Sequence, residues 1–127
     1  MVRPARSLAS RRTAAGLLLA ACWTLAAGAA ARSVGGDPER GRELLSQYQC
    51  GACHSIPGVP SAGGTQAPPL GSFGLRSYIA GRVANRPDLL ARWIVDPQAL
   101  VPGTAMPNMG VRPVDARHMA AYLMGLR

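Results

Sequence analysis

Cys50-Gly51-Ala52-Cys53-His54 is the most informative motif of this 127-residue chain. It separates two thiols by two small residues and places a histidine directly after the second thiol. A structural zinc site would need a second pair of Cys or His ligands, and the sequence offers none. A thioredoxin-like redox motif would follow a strand in a βαβ pattern, which does not occur here. A plain disulfide would leave the adjacent histidine unexplained.

The remaining interpretation of this stretch is covalent attachment of haem c. The thiols of Cys50 and Cys53 can add to the two vinyl groups of one haem and form thioethers. The next residue, His54, is then held beneath the iron as an axial ligand. The motif therefore predicts one covalent haem per chain, with His54 bound to its iron.

Residues 1–31 predict an export signal or a membrane anchor. A basic start precedes an apolar run over residues 14–31, and small residues near the end of the run offer Ala-x-Ala-like cleavage sites. Leu19-Ala20-Ala21-Cys22 also resembles a bacterial lipobox, in which Cys22 would carry a lipid. The run borders on membrane-spanning length, so an uncleaved anchor is a third alternative.

Each of these alternatives places the domain formed by residues 32–127 outside the cytoplasm. The basic start would stay on the cytoplasmic side under the positive-inside rule. The domain is therefore predicted to be periplasmic. It would be either free or attached to the membrane, through residues 14–31 or through a lipid on Cys22.

The charge of the chain argues against a nucleic-acid-binding protein. The formal net charge is +8, but the basic residues are scattered singly and form no cluster that alternates with aromatic residues. Every basic residue is an arginine. Two interpretations stay open: an ordinary solvated surface, or a basic face that attracts an acidic redox partner. The candidate residues for such a face are Arg40, Arg42, Arg76 and Arg82.

The pattern along residues 32–127 predicts an all-α fold with three main helices. The predicted helix starts are Asp37-Pro38, Asn85-Arg86-Pro87-Asp88, and Pro113 with Asp115 in its first turn. The second helix should end at Asp96-Pro97, because the residue before a proline avoids the helical region. A short helix is expected over residues 75–80, and no stretch alternates convincingly as a strand.

Two large loops complete the predicted fold. Residues 56–74 and 99–109 are rich in Pro and Gly, which favours irregular structure. Loops of this length are unusual in a compact domain unless they wrap around something. Leu70 and Phe73 in the first loop would be buried against a bound group. We therefore expect the loops to surround the haem.

Met106 and Met109 are the candidates for the second axial ligand. Both lie in a Pro/Gly loop that can be drawn against a haem face, whereas Met119 and Met124 lie on the last helix and suit packing. A thioether favours ferrous iron and raises the reduction potential. His118 is a further alternative, but a lone histidine on a terminal amphipathic helix is usually solvated. The residues alone leave Met106 and Met109 both open.

Val101-Pro102-Gly103-Thr104-Ala105-Met106-Pro107 resembles the methionine loop of the class I cytochromes c. The resemblance extends over about residues 36–126 and implies that Met106 is the distal ligand. Residues 67–70 resemble the segment in which a proline carbonyl accepts the Nδ1–H of the proximal histidine, a role that falls on Pro68. The same resemblance implies haem contacts for Leu70, for Arg76 through a propionate, and for Trp93, which together with Tyr78 would form the pocket wall. Trp93 stands where many members of that family have tyrosine.

What this resemblance implies is a one-electron carrier that is not an enzyme and has no catalytic residues. Its partners would be redox complexes of the respiratory chain: an oxidase, a dehydrogenase or a bc1-type complex. One alternative is a membrane-tethered cytochrome subunit of an oxidase or dehydrogenase complex. Another is a ligand-binding or peroxidatic haem protein, which would need a labile or absent sixth ligand.

Overall fold

A computed structural model of the chain describes residues 35–127. The predicted export or anchor segment, together with Cys22, lies outside the described residues. Over residues 35–127, no helix combines the length and the hydrophobicity that a membrane span requires.

Four α-helices form the framework of the described domain. They are α1 (Pro38–Gln47), α2 (Pro87–Val95), α3 (Pro97–Leu100) and α4 (Pro113–Gly125). Short 3₁₀ turns occur at Cys50–Ala52 and Phe73–Leu75. The predicted all-α fold is therefore mainly right, but the prediction of three main helices omitted the four-residue α3.

Local sequence signals explain where the helices begin. The side chain of Asp37 accepts hydrogen bonds from the backbone N–H groups of Glu39 and Arg40 and so caps α1. Each of the four helices has a proline in its first turn, where a missing N–H costs nothing. The three predicted helix starts are confirmed.

The predicted end of α2 at Asp96-Pro97 is also confirmed, but the chain does not become irregular there. Asp96 ends α2 and at the same time caps α3, because its Oδ1 accepts a hydrogen bond from the N–H of Ala99 at 3.3 Å. A second short helix therefore precedes the methionine loop. The predicted irregular stretch over residues 99–109 begins only after Leu100.

The short helix predicted over residues 75–80 is wrong. The chain forms two strands there, β1 (Tyr78–Ile79) and β2 (Val83–Ala84), which pair antiparallel with Ile79 opposite Val83. Ala80 and Gly81 both have positive φ (49° and 68°), and Arg82 donates its N–H to the carbonyl of Ile79 at 3.0 Å. Two consecutive positive φ angles are typical of a type I′ hairpin turn. The expectation of no strand is therefore also wrong.

Helix α4 packs against both α1 and α2 and forms the centre of the domain. The closest approach is at Gly41, where a β-carbon would lie 2.0 Å from the carbonyl oxygen of His118. Only glycine permits this backbone-to-backbone contact between α1 and α4. The core beneath the crossing includes Leu44, Leu45, Leu90, Ile94, Ala116, Met119, Ala120 and Leu123.

Candidate functional site

All eight residues that the sequence assigns to a bound group line one cavity. This cavity has a volume of about 400 Å³ and is bordered by Cys50, Cys53, His54, Pro68, Leu70, Arg76, Trp93 and Met106. These residues come from the 3₁₀ turn after α1 and the residues that follow it, from both large loops, from the segment before β1 and from α2. Most of the remaining wall is apolar and includes Leu45, Phe73, Ile79, Leu90, Ile94, Val111 and Leu123. The volume and lining are typical of a small-molecule or cofactor site.

The two cysteines are presented by the 3₁₀ turn that follows α1. Gln49 takes a left-handed conformation (φ 55°), and the backbone N–H groups of Cys53 and His54 then bond to the carbonyl of Cys50 at 3.3 and 3.1 Å. The turn thereby brings both thiols and the imidazole to the same cavity wall. Cys50 is half-buried and Cys53 is exposed, and both are free thiols.

Burial raises the pKa of the Cys50 thiol to about 11. Its own backbone hydrogen bond opposes this shift, and the neighbouring Cys53 adds to it. The thiol therefore stays neutral at pH 7. A neutral sulfur suits an apolar wall against which an apolar group can pack.

Hydrogen bonds hold the first loop against the cysteine turn. The N–H of Ala67 donates to the carbonyl of Cys53 at 3.0 Å, and the N–H of Leu70 donates to that of Ser55 at 2.8 Å. Gly64 packs so closely that a β-carbon there would lie 2.4 Å from the carbonyl carbon of Cys53. The long Pro/Gly-rich loop therefore folds back over the motif and forms one side of the cavity.

The imidazole of His54 has a defined orientation. Its Nδ1 lies 2.7 Å from the carbonyl oxygen of Pro68, which is the contact expected for this pair. Because a carbonyl oxygen can only accept, the proton lies on Nδ1. The lone pair of Nε2 is left for a metal, and the hydrogen bond fixes the orientation of the ring.

The two candidate methionines both line the cavity but differ in exposure. Met106 is half-buried, whereas Met109 is 41% exposed. His118 is not among the cavity residues. Its Nδ1 accepts a hydrogen bond from the backbone N–H of Asp37 at 2.8 Å, and the side chain is half-buried rather than simply solvated. His118 therefore secures the start of α1 and lies outside the cavity that holds the other candidates.

Arg76 reaches the cavity wall through a set of local contacts. Its Nη2 donates to the carbonyl oxygens of Pro69 and Gly71, and its guanidinium lies 5.2 Å from the centre of the Phe73 ring. The side-chain amide of Asn85 donates to the carbonyls of Phe73 and Arg76 at 2.9 and 3.0 Å. Sequence reasoning missed Asn85, because a lone asparagine before a helix is read as a cap signal.

The two aromatic residues predicted for the cavity wall differ in their burial and in whether they border the cavity. Trp93 is 7% exposed and lines the cavity, whereas Tyr78 is 58% exposed and is not among the lining residues. The prediction for Tyr78 is wrong because it lies on strand β1 rather than on a helix. In that strand the next residue, Ile79, is the buried one.

The proposed basic face is weakened by local pairing on α1. Arg40 pairs with Glu43 at 2.9 Å, and Arg42 pairs with Glu39 at 3.3 Å. These exposed pairs stabilise little, but each places a negative charge beside the arginine.

The donor set of the cavity fits haem c. Two thiols, an imidazole with an available Nε2 and a half-buried thioether border one apolar space. Thiols can bond to vinyl groups, and imidazole and thioether are the axial ligands of His/Met haems. The apolar wall suits a porphyrin ring, and Arg76 brings a positive charge to the same wall.

Comparison with known proteins agrees with this chemistry. Residues 38–127 match the family model described as Cytochrome c. The chain is 35% identical over 89 residues to cytochrome c oxidase subunit 2 of Alkalihalophilus pseudofirmus, a match that covers 69% of this chain and 25% of that protein. It is 33% identical over 94 residues to cytochrome c oxidase subunit 2 of Bacillus subtilis, covering 70% and 26% respectively. The match spans about a quarter of the length of these curated relatives. The chain belongs to the cytochrome c family.

Proposed function

We propose that the chain carries single electrons through one haem c bound covalently by Cys50 and Cys53. The observation that carries the proposal is that both thiols, His54 and Met106 border one and the same apolar cavity. When bound, haem supplies a reversible one-electron couple at its iron.

The roles of the chain's own residues follow from their contacts. His54 offers Nε2 to the iron, and the carbonyl of Pro68 holds the imidazole in that orientation. Met106 offers its thioether as the distal ligand. Leu70 and Trp93 exclude water from the ring, and Arg76 brings its guanidinium to the cavity for a propionate. These proposed roles are the ones that the resemblance to the class I cytochromes c implies.

Filled axial positions favour electron transfer over ligand binding. If His54 and Met106 both stayed bound in the two oxidation states, little would have to rearrange on electron transfer. Met106 is preferred over Met109 because it is better buried at the cavity wall and needs less desolvation to bind. The peroxidatic alternative requires an open sixth position, and the presence of Met106 at the cavity argues against it.

The partner is proposed to be a respiratory oxidase. Both relatives are named as subunit 2 of cytochrome c oxidase, so the domain would deliver electrons to such an enzyme on the periplasmic side of the membrane. The same similarity favours a second candidate, a domain tethered as part of an oxidase complex. A freely diffusing carrier and a tethered domain differ in one respect. In the tethered domain, residues 14–31 or a lipid on Cys22 would hold the protein at the membrane.

The first experiment identifies the distal ligand. The visible spectrum of the purified oxidised protein is recorded for the parent protein, Met106→Ala and Met109→Ala. We expect the far-red charge-transfer band of a ferric–methionine bond in the parent protein and in Met109→Ala, and its loss in Met106→Ala. Loss of the band in Met109→Ala alone would assign the ligand to Met109. A parent protein without the band, combined with rapid carbon monoxide binding, would favour the ligand-binding function.

A second experiment tests the covalent attachment. Intact-mass spectrometry of the denatured protein should show the polypeptide plus one haem. We expect that Cys50→Ala with Cys53→Ala removes this mass increment, while His54→Ala retains it. An increment that persists without both cysteines would contradict the proposed attachment.

A further inference from the structure

The loop that carries Met106 begins with a tight turn. In residues 101–104, the N–H of Thr104 donates to the carbonyl of Val101 at 3.1 Å, and Gly103 has a φ of 81°. Proline followed by a residue with positive φ is typical of a type II turn. The N–H of Gly103 and the carbonyl of Thr104 take no part in the turn's own hydrogen bond.

One side chain, Gln98, bonds to both of these groups. Its Oε1 accepts a hydrogen bond from the N–H of Gly103 at 2.9 Å, and its Nε2 donates to the carbonyl of Thr104 at 2.6 Å. A carboxamide has one acceptor and one donor side, as a peptide group does. Gln98 therefore clamps the turn, because it holds the backbone N–H of Gly103 and the backbone carbonyl of Thr104 at once.

The helix that carries Gln98 is itself anchored. Gln98 lies in α3, which Asp96 caps at its start and the buried Pro97 anchors. The carbonyl of Pro97 also accepts the N–H of Val101 at 2.9 Å, which links the helix to the beginning of the turn. The side chain of Gln98 thus extends from a short helix that is held at both ends by hydrogen bonds and packing.

The turn that Gln98 clamps is also connected directly to Met106. Thr104, Ala105 and Met106 all border the cavity. The Oγ1 of Thr104 accepts a hydrogen bond from the N–H of Met106 at 3.5 Å. The position of the Thr104 peptide therefore sets where the thioether, two residues later, meets the cavity.

We propose that Gln98 is the positioning residue that holds Met106 at the cavity wall by clamping the peptide groups of Gly103 and Thr104. The inference rests on the proposed function of Met106 as the distal ligand. Gln98 itself does not border the cavity. Its effect is on how readily Met106 leaves the iron, and not on whether haem is attached.

The test measures the competition between Met106 and added imidazole. The equilibrium binding of imidazole to the oxidised protein is titrated for the parent protein, Gln98→Ala and Gln98→Glu. We expect about tenfold tighter imidazole binding in Gln98→Ala, because two exposed hydrogen bonds no longer hold the methionine loop. Gln98→Glu keeps an acceptor for Gly103 but turns a second oxygen towards the carbonyl of Thr104, so we expect a similar change.

Gln47→Ala is the matched control, since Gln47 is an exposed glutamine at the end of α1 that does not border the cavity. It should bind imidazole as the parent protein does. The proposal fails if the parent protein shows the far-red band, Met106→Ala loses it, and both Gln98 variants bind imidazole with the parent affinity. A parent protein without the band would instead overturn the ligand role of Met106, and the inference with it.

Discussion

The hydroxyl group of Tyr48 donates a hydrogen bond of 2.8 Å to Oδ2 of Asp115, which joins the end of α1 to α4. Asp115 is 5% exposed, and its carboxylate also accepts two hydrogen bonds from Arg112, at 2.8 and 3.0 Å. Tyr48 lies two residues before Cys50. This buried carboxylate therefore fixes the segment that leads into the cysteine turn.

The free energy of unfolding should depend on pH through Asp115. The hydrogen bonds from Arg112 and then from Tyr48 lower the pKa of this carboxyl below its usual 3.8, although partial burial opposes the shift. A carboxyl with a depressed pKa in the folded state stabilises it above the unfolded pKa. This stabilisation should be fully present above about pH 5 and be lost as the pH falls through the lower folded value.

Denaturant unfolding of the parent protein and Asp115→Asn at pH 7 and pH 3 measures this dependence. The parent protein should be the more stable of the two at pH 7, and the difference should shrink at pH 3. The exposed ion pair of Asp88 and Arg86 is present in both proteins, so its contribution cancels in the difference between their free energies of unfolding. A stability difference that is the same at both pH values would show that Asp115 does not contribute through its charge.

Tyr48→Phe should destabilise the protein without removing any buried apolar surface. The variant loses a hydroxyl that donates to a buried charged group, so we expect a cost on the order of 1.5 kcal/mol. Tyr122→Phe is the control, because its hydroxyl donates to the neutral carbonyl of Pro57 at 2.7 Å. Urea unfolding at pH 7 should show the smaller loss, about 1 kcal/mol, for Tyr122→Phe. Equal losses would mean that the charge of Asp115 adds nothing to the bond.

Gly41→Ala should force α1 away from α4. Its new methyl group would lie 2.0 Å from the carbonyl oxygen of His118, which is part of the α4 backbone and cannot rotate away. We expect a loss of about 2–3 kcal/mol in the free energy of unfolding. Gly125→Ala, in the same pair of helices but with open space around it, should leave stability unchanged or slightly raised. A small effect of Gly41→Ala would contradict the close crossing.

The stability of the start of α1 should depend on the Nδ1 atom of His118. His118→Gln removes an acceptor for the N–H of Asp37 from that position, at a cost of about 1 kcal/mol. His118→Asn places its Oδ1 where Nδ1 was and should recover most of the loss. Thermal unfolding at neutral pH compares the three proteins. Equal destabilisation in both variants would show that the imidazole acts through packing alone.

Arg76 should raise the reduction potential of the bound haem. A positive charge at the cavity wall disfavours the more positive ferric state, so Arg76→Gln should lower the potential by tens of millivolts. Arg76→Lys keeps the charge and should stay closer to the parent value. Arg82→Gln removes an exposed charge that does not border the cavity. Redox titrations that give the same shift for the Arg76 and Arg82 glutamine variants would contradict a local effect.

Much of the fold could be predicted because its signals are local. Asp37, Pro87 and Pro113 mark helix starts through capping and fixed φ angles, which depend on a few neighbouring residues. The hairpin was missed because each strand has only two residues, which is too short for an alternating pattern. What defines it is the pair of positive φ angles at Ala80 and Gly81, and alanine gives no sign of such a conformation.

Only part of the candidate site could be predicted from the sequence, as was the case for the fold. The cysteine motif and the methionine loop identified Cys50, Cys53, His54 and Met106 at the cavity, because covalent and axial bonds require particular side chains at particular spacings. Their roles towards haem stay predictions. Gln98 and Asn85 could not be found in this way, since each bonds to backbone groups of nearby turns whose exact conformation no residue pattern specifies.

The family, the helix starts and the chemical types of the donor atoms can be read from the amino-acid sequence, because these depend on residue identity and short-range spacing. Only the tertiary structure decided which methionine is the more buried, that His118 secures α1, and that Tyr48 shares a buried carboxylate with Arg112. Burial and long-range hydrogen bonds arise when α1 and α4 cross at Gly41. The two sides of that contact, Gly41 and His118, lie near opposite ends of the described domain, so no local sequence signal can report it.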